Sequence, residues 1–185
     1  ATDKFMESDF VKENFKGSLH LNTIIAAGKA EETHSYAVLQ PSLAEHEIWL
    51  AKLSDPNNQE AQKFLSVLNA NSTAVGTRIN TFIQTYGTPS NKDTVWAVYP
   101  FRTKPSNVED IIEATEDLDK AIKDTFPGQF GLSARMSGGG MQTHLYTVGY
   151  ESMAEMEAWE DSSARNEGVS PFDRVMDKLV DWQDS

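Results

Sequence analysis

The chain has 185 residues, and its 28 Asp and Glu against 16 Lys and Arg give a formal net charge of −12. That length suits one large domain or two small halves sharing a core, and that charge argues against nucleic acid or an anionic membrane surface as partner, since phosphate binding needs clustered cations. The absence of Cys excludes disulfides, thiolate metal sites, iron–sulfur clusters and Cys nucleophiles.

Phe5, Met6, Phe10 and Phe15 among charged residues predict a helix over 3–16, ended by Gly17. Leu19, Leu21, Thr23 and Ile25 alternate as a strand, residues 28–32 read as a turn, and His34 to Gln40 read as a second strand closed by Pro41. Ser42-Leu43-Ala44-Glu45 has the form of a capping box, with a helix running to about Leu53. Pro56 suits the first position of a second helix that buries Ala61, Phe64, Leu65 and Leu68. The stretch from Val75 to Tyr86 is a long strand by alternation. One face carries Ile79 and Ile83 among threonines; the other carries Arg78, Asn80, Phe82, Gln84 and Tyr86.

Gly87 to Asn91 reads as a linker. It divides a first half, 1–88, from a second half, 89–185, within one fused domain. Val95 to Tyr99 is a nearly continuous apolar strand, and Ser106-Asn107-Val108-Glu109 is a second capping box. Val108, Ile111, Ile112, Leu118, Ile122 and Phe126 mark one face of a long helix stopped by Pro127-Gly128. Strands follow at 130–136 and 144–150 around the turn Ser137-Gly138-Gly139-Gly140. Ser152-Met153-Ala154-Glu155 opens a helix through Trp159, and Ser170-Pro171 opens a last one reaching about residue 182.

Two stretches match at an offset of 110 residues. His34-Ser35-Tyr36-Ala37-Val38 corresponds to His144-Leu145-Tyr146-Thr147-Val148. Ser42, Ala44, Glu45, Glu47 and Trp49 correspond to Ser152, Ala154, Glu155, Glu157 and Trp159. Eight of seventeen positions are identical over 34–50 and 144–160, where composition alone gives about one. The repeat unit is strand–turn–strand–helix–helix. A strand and a long helix precede the second copy, which gives most of a ferredoxin-like unit. The first copy lacks its opening strand, and the strand at 75–86 is placed to fill that slot.

A β-α-β-β-α half whose third strand runs into a Ser-capped, Trp-bearing helix resembles the dimeric α+β barrel superfamily, which includes antibiotic-biosynthesis-type monooxygenases and NIPSNAP-like proteins. The run Tyr146-x-x-Gly149-Tyr150-Glu151-Ser152-x-x-Glu155 is similar to members of that group. The resemblance covers 94–163, and 18–70 through the repeat. It implies an α+β, ferredoxin-like dimeric α/β barrel built from two tandem repeats. The helix at 171–182 stands where the family pattern has a fourth strand.

The candidate catalytic residues are His34 and His144, which occupy matching strand starts, and Tyr146. A His at a strand end can act as a base or as a metal or haem ligand, or can hold a hairpin by hydrogen bonding. No HExxH and no two-His helical spacing is present, so neither metal nor cofactor is expected. Trp49 and Trp159 read as core wedges. Arg78, Asn80, Gln84, Trp96 and Arg102 are the candidate ligand-binding residues, with Arg135 beside them as a further anion-binding candidate. They place an expected cavity between the sheets, lined from 78–86, 95–102 and 144–150. Three functions fit: binding of a small apolar or aromatic molecule, cofactor-independent monooxygenase or isomerase chemistry, and structural oligomerisation. The apolar strand faces at 79–86 and 95–101 predict a homo-oligomer, most simply a dimer. No apolar run approaches a membrane span, so the expectation is a soluble chain, cytoplasmic or exported with its signal already removed.

Overall fold

The computed structural model describes residues 2–25, 32–87, 92–138 and 140–182. Most of the predicted turn at 28–32, the linker at 88–91 and Gly139 of the glycine turn lie outside the described residues. The chain divides into two compact units, Ala1–Val75 and Gly76–Ser185. Among the described residues, no helix is long and apolar enough to cross a membrane.

The first unit holds α1 (Thr2–Met6), α2 (Asp9–Asn14), β1 (Ser18–Thr23), β2 (His34–Leu39), α3 (Leu43–Leu53) and α4 (Gln59–Asn71). The single helix expected over 3–16 is two. Ser8 interrupts it, donating to the Phe5 carbonyl at 2.7 Å and accepting the Val11 N–H at 3.3 Å as the cap of α2. Strands β1 and β2 pair antiparallel, with Leu21 opposite Tyr36. Ser42 caps α3 by accepting the Glu45 N–H at 3.2 Å, but the Glu45 carboxylate meets Lys16 at 2.8 Å instead of closing the box. Asn58, not Pro56, sets the start of α4, accepting the Ala61 N–H at 3.0 Å. Phe5, Val11 and Trp49 form the core, with Phe10, Phe15 and Phe64 packed around them.

The second unit holds β3 (Ile79–Gly87), β4 (Val95–Thr103), a 3-10 turn at Pro105–Asn107, α5 (Val108–Ile122), β5 (Gln129–Ser137), β6 (His144–Tyr150), α6 (Met153–Glu160), α7 (Ser163–Leu179) and β7 (Val180–Trp182). Its antiparallel sheet has the order β3-β5-β6-β4-β7. Strands β4 to β7 with their helices make a complete β-α-β-β-α-β, ferredoxin-like unit. Strand β3 adds a fifth strand at the β5 edge. The strand expected to complete the first half therefore belongs to the sheet of the second unit.

Three other expectations are corrected here. Ser106 does not cap α5; Asn107 holds that position without a side-chain cap bond, and its amide donates to the Leu179 carbonyl at 3.0 Å. The last helix does not begin at Pro171. Ser162 caps it nine residues earlier by accepting the Arg165 N–H at 3.0 Å, and Pro171 lies inside it. Nor does that helix reach residue 182. It ends at Leu179, and Val180–Trp182 pairs with Phe101–Thr103 as the missing fourth strand. The Thr103 hydroxyl donates to the Leu179 carbonyl at 2.7 Å and fixes that helix end against β4.

One side of the sheet presents Tyr86, Phe101, Phe130, Leu132, Tyr146 and Tyr150 to Ile111, Leu118 and Ile122 of α5, Trp159 of α6 and Met176 of α7. Gly168 lets α7 approach α5; a Cβ there would lie 2.4 Å from Cγ2 of Ile122. The two stretches related at offset 110 take the same local form. Ser42 and Ser152 are both extended caps, at φ −158° and −157°. Trp49 and Trp159 are both buried, at 5% and 7% exposure.

Candidate functional site

Because Phe130 and Leu132 of β5 point into the helices, alternation turns Gly131, Ser133 and Arg135 to the other side of the sheet. Pairing carries this open face across the strands: Phe82 lies opposite Ser133, Ser133 opposite Leu145, Leu145 opposite Pro100, Thr147 opposite Val98, and Gly149 opposite Trp96. Phe82, Val98 and Trp96 are 54%, 49% and 44% exposed. Gly149 makes room for its neighbours. A Cβ there would lie 2.9 Å from the Trp96 ring and 2.7 Å from Oδ2 of Asp93, so indole and carboxylate both stand over that glycine.

Cations gather at the other end of the same face. Asn80 pairs with Arg135, and Arg102 follows Phe101, which pairs with His144. Arg135 donates from Nη1 to Oε1 of Gln142 at 2.6 Å. Burial, and then the charge of Arg78, lower the Arg135 pKa. Only five of the chain's residues are Arg, and Arg78, Arg102 and Arg135 are three of them.

The face expected to carry Arg78, Asn80, Phe82, Gln84 and Tyr86 together is split by a β-bulge. Register shifts between Phe82 and Gln84, leaving Ile83 as the extra residue. Asn80 and Phe82 stay on the open face. Gln84, opposite Leu132, and Tyr86, opposite Phe130, turn toward the helices. Tyr86 is buried, and its pKa is pushed up to about 12 by burial and then by Glu116 and Asp119.

The catalytic candidates lie elsewhere. His34 is exposed in the first unit, with Nδ1 at 3.0 Å from the Thr33 hydroxyl. His144, in the second unit, repeats that bond with Thr143 at 2.9 Å and stacks on Phe101 at 5.6 Å. Burial lowers its pKa. Tyr146 is buried in the helix-facing core; its hydroxyl meets that of Thr115, which donates to the Ile111 carbonyl at 2.6 Å. Burial raises the Tyr146 pKa, so the phenol keeps its proton. The structure thus brings Asn80, Trp96 and Arg102 onto one face, with Arg78 two residues before Asn80, and sets Gln84, His144 and Tyr146 on the other. Val98 completes the Trp96 end, Phe82 lies between the two ends in the row of Pro100, and Asp93 stands at the Trp96 end without any sequence signal to mark it. Among the described residues, no three His, Asp or Glu side chains gather as a metal site.

No family model matches the sequence, and no curated protein is similar to it at a significant level. Solved structures do match. An anthrone oxidase-like protein superposes with a TM-score of 0.56 at 12% identity, over 90% of this chain and 72% of the other. A candidate monooxygenase from Fusobacterium nucleatum subsp. nucleatum superposes with a TM-score of 0.54 at 12% identity, over 97% of this chain and 80% of the other. The chain accordingly shares a ferredoxin-like α+β fold with these structures.

Proposed function

We propose that the chain binds a small aromatic molecule carrying an anionic group on the open face of the five-stranded sheet. The carrying observation is the gradient along that face, from exposed Trp96 and Val98, past exposed Phe82, to Arg102 and Arg135, in a chain of net charge −12. Exposed aromatic rings on a rigid sheet offer flat apolar surface to a planar ligand. Guanidinium forks suit a carboxylate or a comparable oxyanion. Thr85 and Thr147 supply hydroxyls between the two ends.

Titration with 2-naphthoate, one fused aromatic ring system with one carboxylate, tests this reading through quenching of Trp fluorescence. Arg102→Gln combined with Arg135→Gln is expected to weaken binding about tenfold or more, the size of a charge-assisted hydrogen bond, with an unchanged circular dichroism spectrum. Equal binding by wild type and double variant would sink the proposal. Cofactor-independent monooxygenase chemistry on the same face is the second reading. It is favoured by the names of the two superposed proteins, and a dimer closing a barrel over the face would suit either reading.

A further inference from the structure

The aromatic end of the open face carries a carboxylate that nothing in the fold requires. Asp93 stands just before β4, and both its side-chain oxygens are shielded from solvent with no hydrogen-bond partner. Its neighbours are committed elsewhere: the Thr94 hydroxyl donates to the Glu151 carbonyl at 2.8 Å, and Lys92 lies 3.6 Å from the Glu151 carboxylate. Shielding a carboxylate without a donor is unfavourable, and a bound partner that supplies the missing hydrogen removes that cost. A Cβ at 149 would lie 2.7 Å from Oδ2 and 2.9 Å from the edge of the Trp96 indole, so glycine is what leaves room for both. Trp96, itself 44% exposed, is the side chain beside the shielded carboxylate on the open face, so a ligand's donor reaches those oxygens where that ring gives way.

We propose that Asp93 accepts a hydrogen bond from a hydroxyl or amine on the bound aromatic molecule, at the end opposite its anionic group. The inference rests on the aromatic-anion reading above and specifies that ligand further. The class is a planar aromatic acid with a phenolic, enolic or amino donor at its far side. Its dimensions follow from the sheet. Trp96 and Arg102 are six residues apart on β4, roughly 20 Å of strand. An Arg side chain reaching inward and a hydrogen bond of about 2.9 Å at each end leave room for a molecule of two or three fused rings.

The test compares 6-hydroxy-2-naphthoate with 2-naphthoate on the intact chain. Wild type is expected to prefer the hydroxylated acid about tenfold, as a hydrogen bond to a charged acceptor supplies. Asp93→Leu is expected to abolish that preference and to raise the urea midpoint, because it removes a charge that the fold leaves unpaired. Asp93→Asn, which keeps one acceptor but no charge, should retain only part of the preference. Persistence of the full preference in Asp93→Leu overturns the inference. So does a lowered midpoint in both variants, which would show that the carboxylate is paired within the protein. Equal binding of the two acids by wild type overturns the role of Asp93 and leaves the aromatic-anion reading standing. Failure of wild type to bind either acid overturns both.

Discussion

Replacing Gly168 by Ala sets two effects of opposite sign against each other. In an exposed helix interior the change stabilises by about 1 kcal/mol, because Ala has less backbone freedom to lose. Gly168 is not in that situation. Its Cβ would lie 2.4 Å from Cγ2 of Ile122, which is 3% exposed. Ile is stiff at χ1, so that methyl cannot swing aside. Overpacking of this kind costs about 1–3 kcal/mol, and the expected net result is a loss of about 1–2 kcal/mol. Ile122→Leu moves the branch point one carbon outward and removes Cγ2, at a cost below about 1.5 kcal/mol by itself. On that background Gly168→Ala should be neutral or stabilising. Urea unfolding followed by far-UV circular dichroism over the four proteins yields the coupling energy. Gly168→Ala that stabilises the wild-type background, or a coupling within about 0.5 kcal/mol of zero, would refute the close helix approach.

The buried tryptophans make a matched pair. Trp49→Ala and Trp159→Ala should each cost about 3–5 kcal/mol, and a loss under 1 kcal/mol at either site would show that its indole is not core. His144 predicts a pH dependence. Burial lowers its pKa below the unfolded value of about 6.5, so its contribution is present above that pH and is lost as pH falls through the folded pKa. His144→Gln should flatten the decline of the urea midpoint below pH 6.5; parallel declines in the two proteins would count against the burial argument.

What the sequence discloses is what its local chemistry decides. Ser42 and Ser152 cap helices because a hydroxyl three residues before a free N–H needs no distant partner. The apolar spacing of Ile111, Leu118 and Ile122 buries α5 for the same reason. The misses are decisions made across the chain. Pro171 reads as a start, yet a cap at Ser162 and packing of α7 on α5 carry the helix through it. Strand β7 has three residues and no periodicity of its own, and it exists because β4 offers an edge. Trp96 and Arg102 could be read as site residues from their types alone. The position of Asp93 depends on Gly149, more than fifty residues away, and no local pattern contains that information.

The bulge at Ile83 is the least legible of these features and the easiest to test. Simple alternation puts Phe82, Gln84 and Tyr86 on one face, and that face would be either all open or all buried. With one extra residue, Phe82 opposes Ser133 and Gln84 opposes Leu132, so the two side chains leave the sheet on opposite sides. Ile83 then packs against the helix-facing core cluster that includes Leu132, a position that alternation from Tyr86 would deny it. The chain has no Cys, so a single introduced thiol reports its own surroundings and no others. Asn80→Cys and Phe82→Cys should react with a maleimide within the folded protein at close to the rate found in urea. Ile83→Cys and Gln84→Cys should react several-fold more slowly when folded and equally fast when unfolded. The decisive comparison is Phe82 with Gln84. Equal protection at those two positions would mean a regular strand, and Phe82 would no longer belong to the face on which the ligand is proposed to sit.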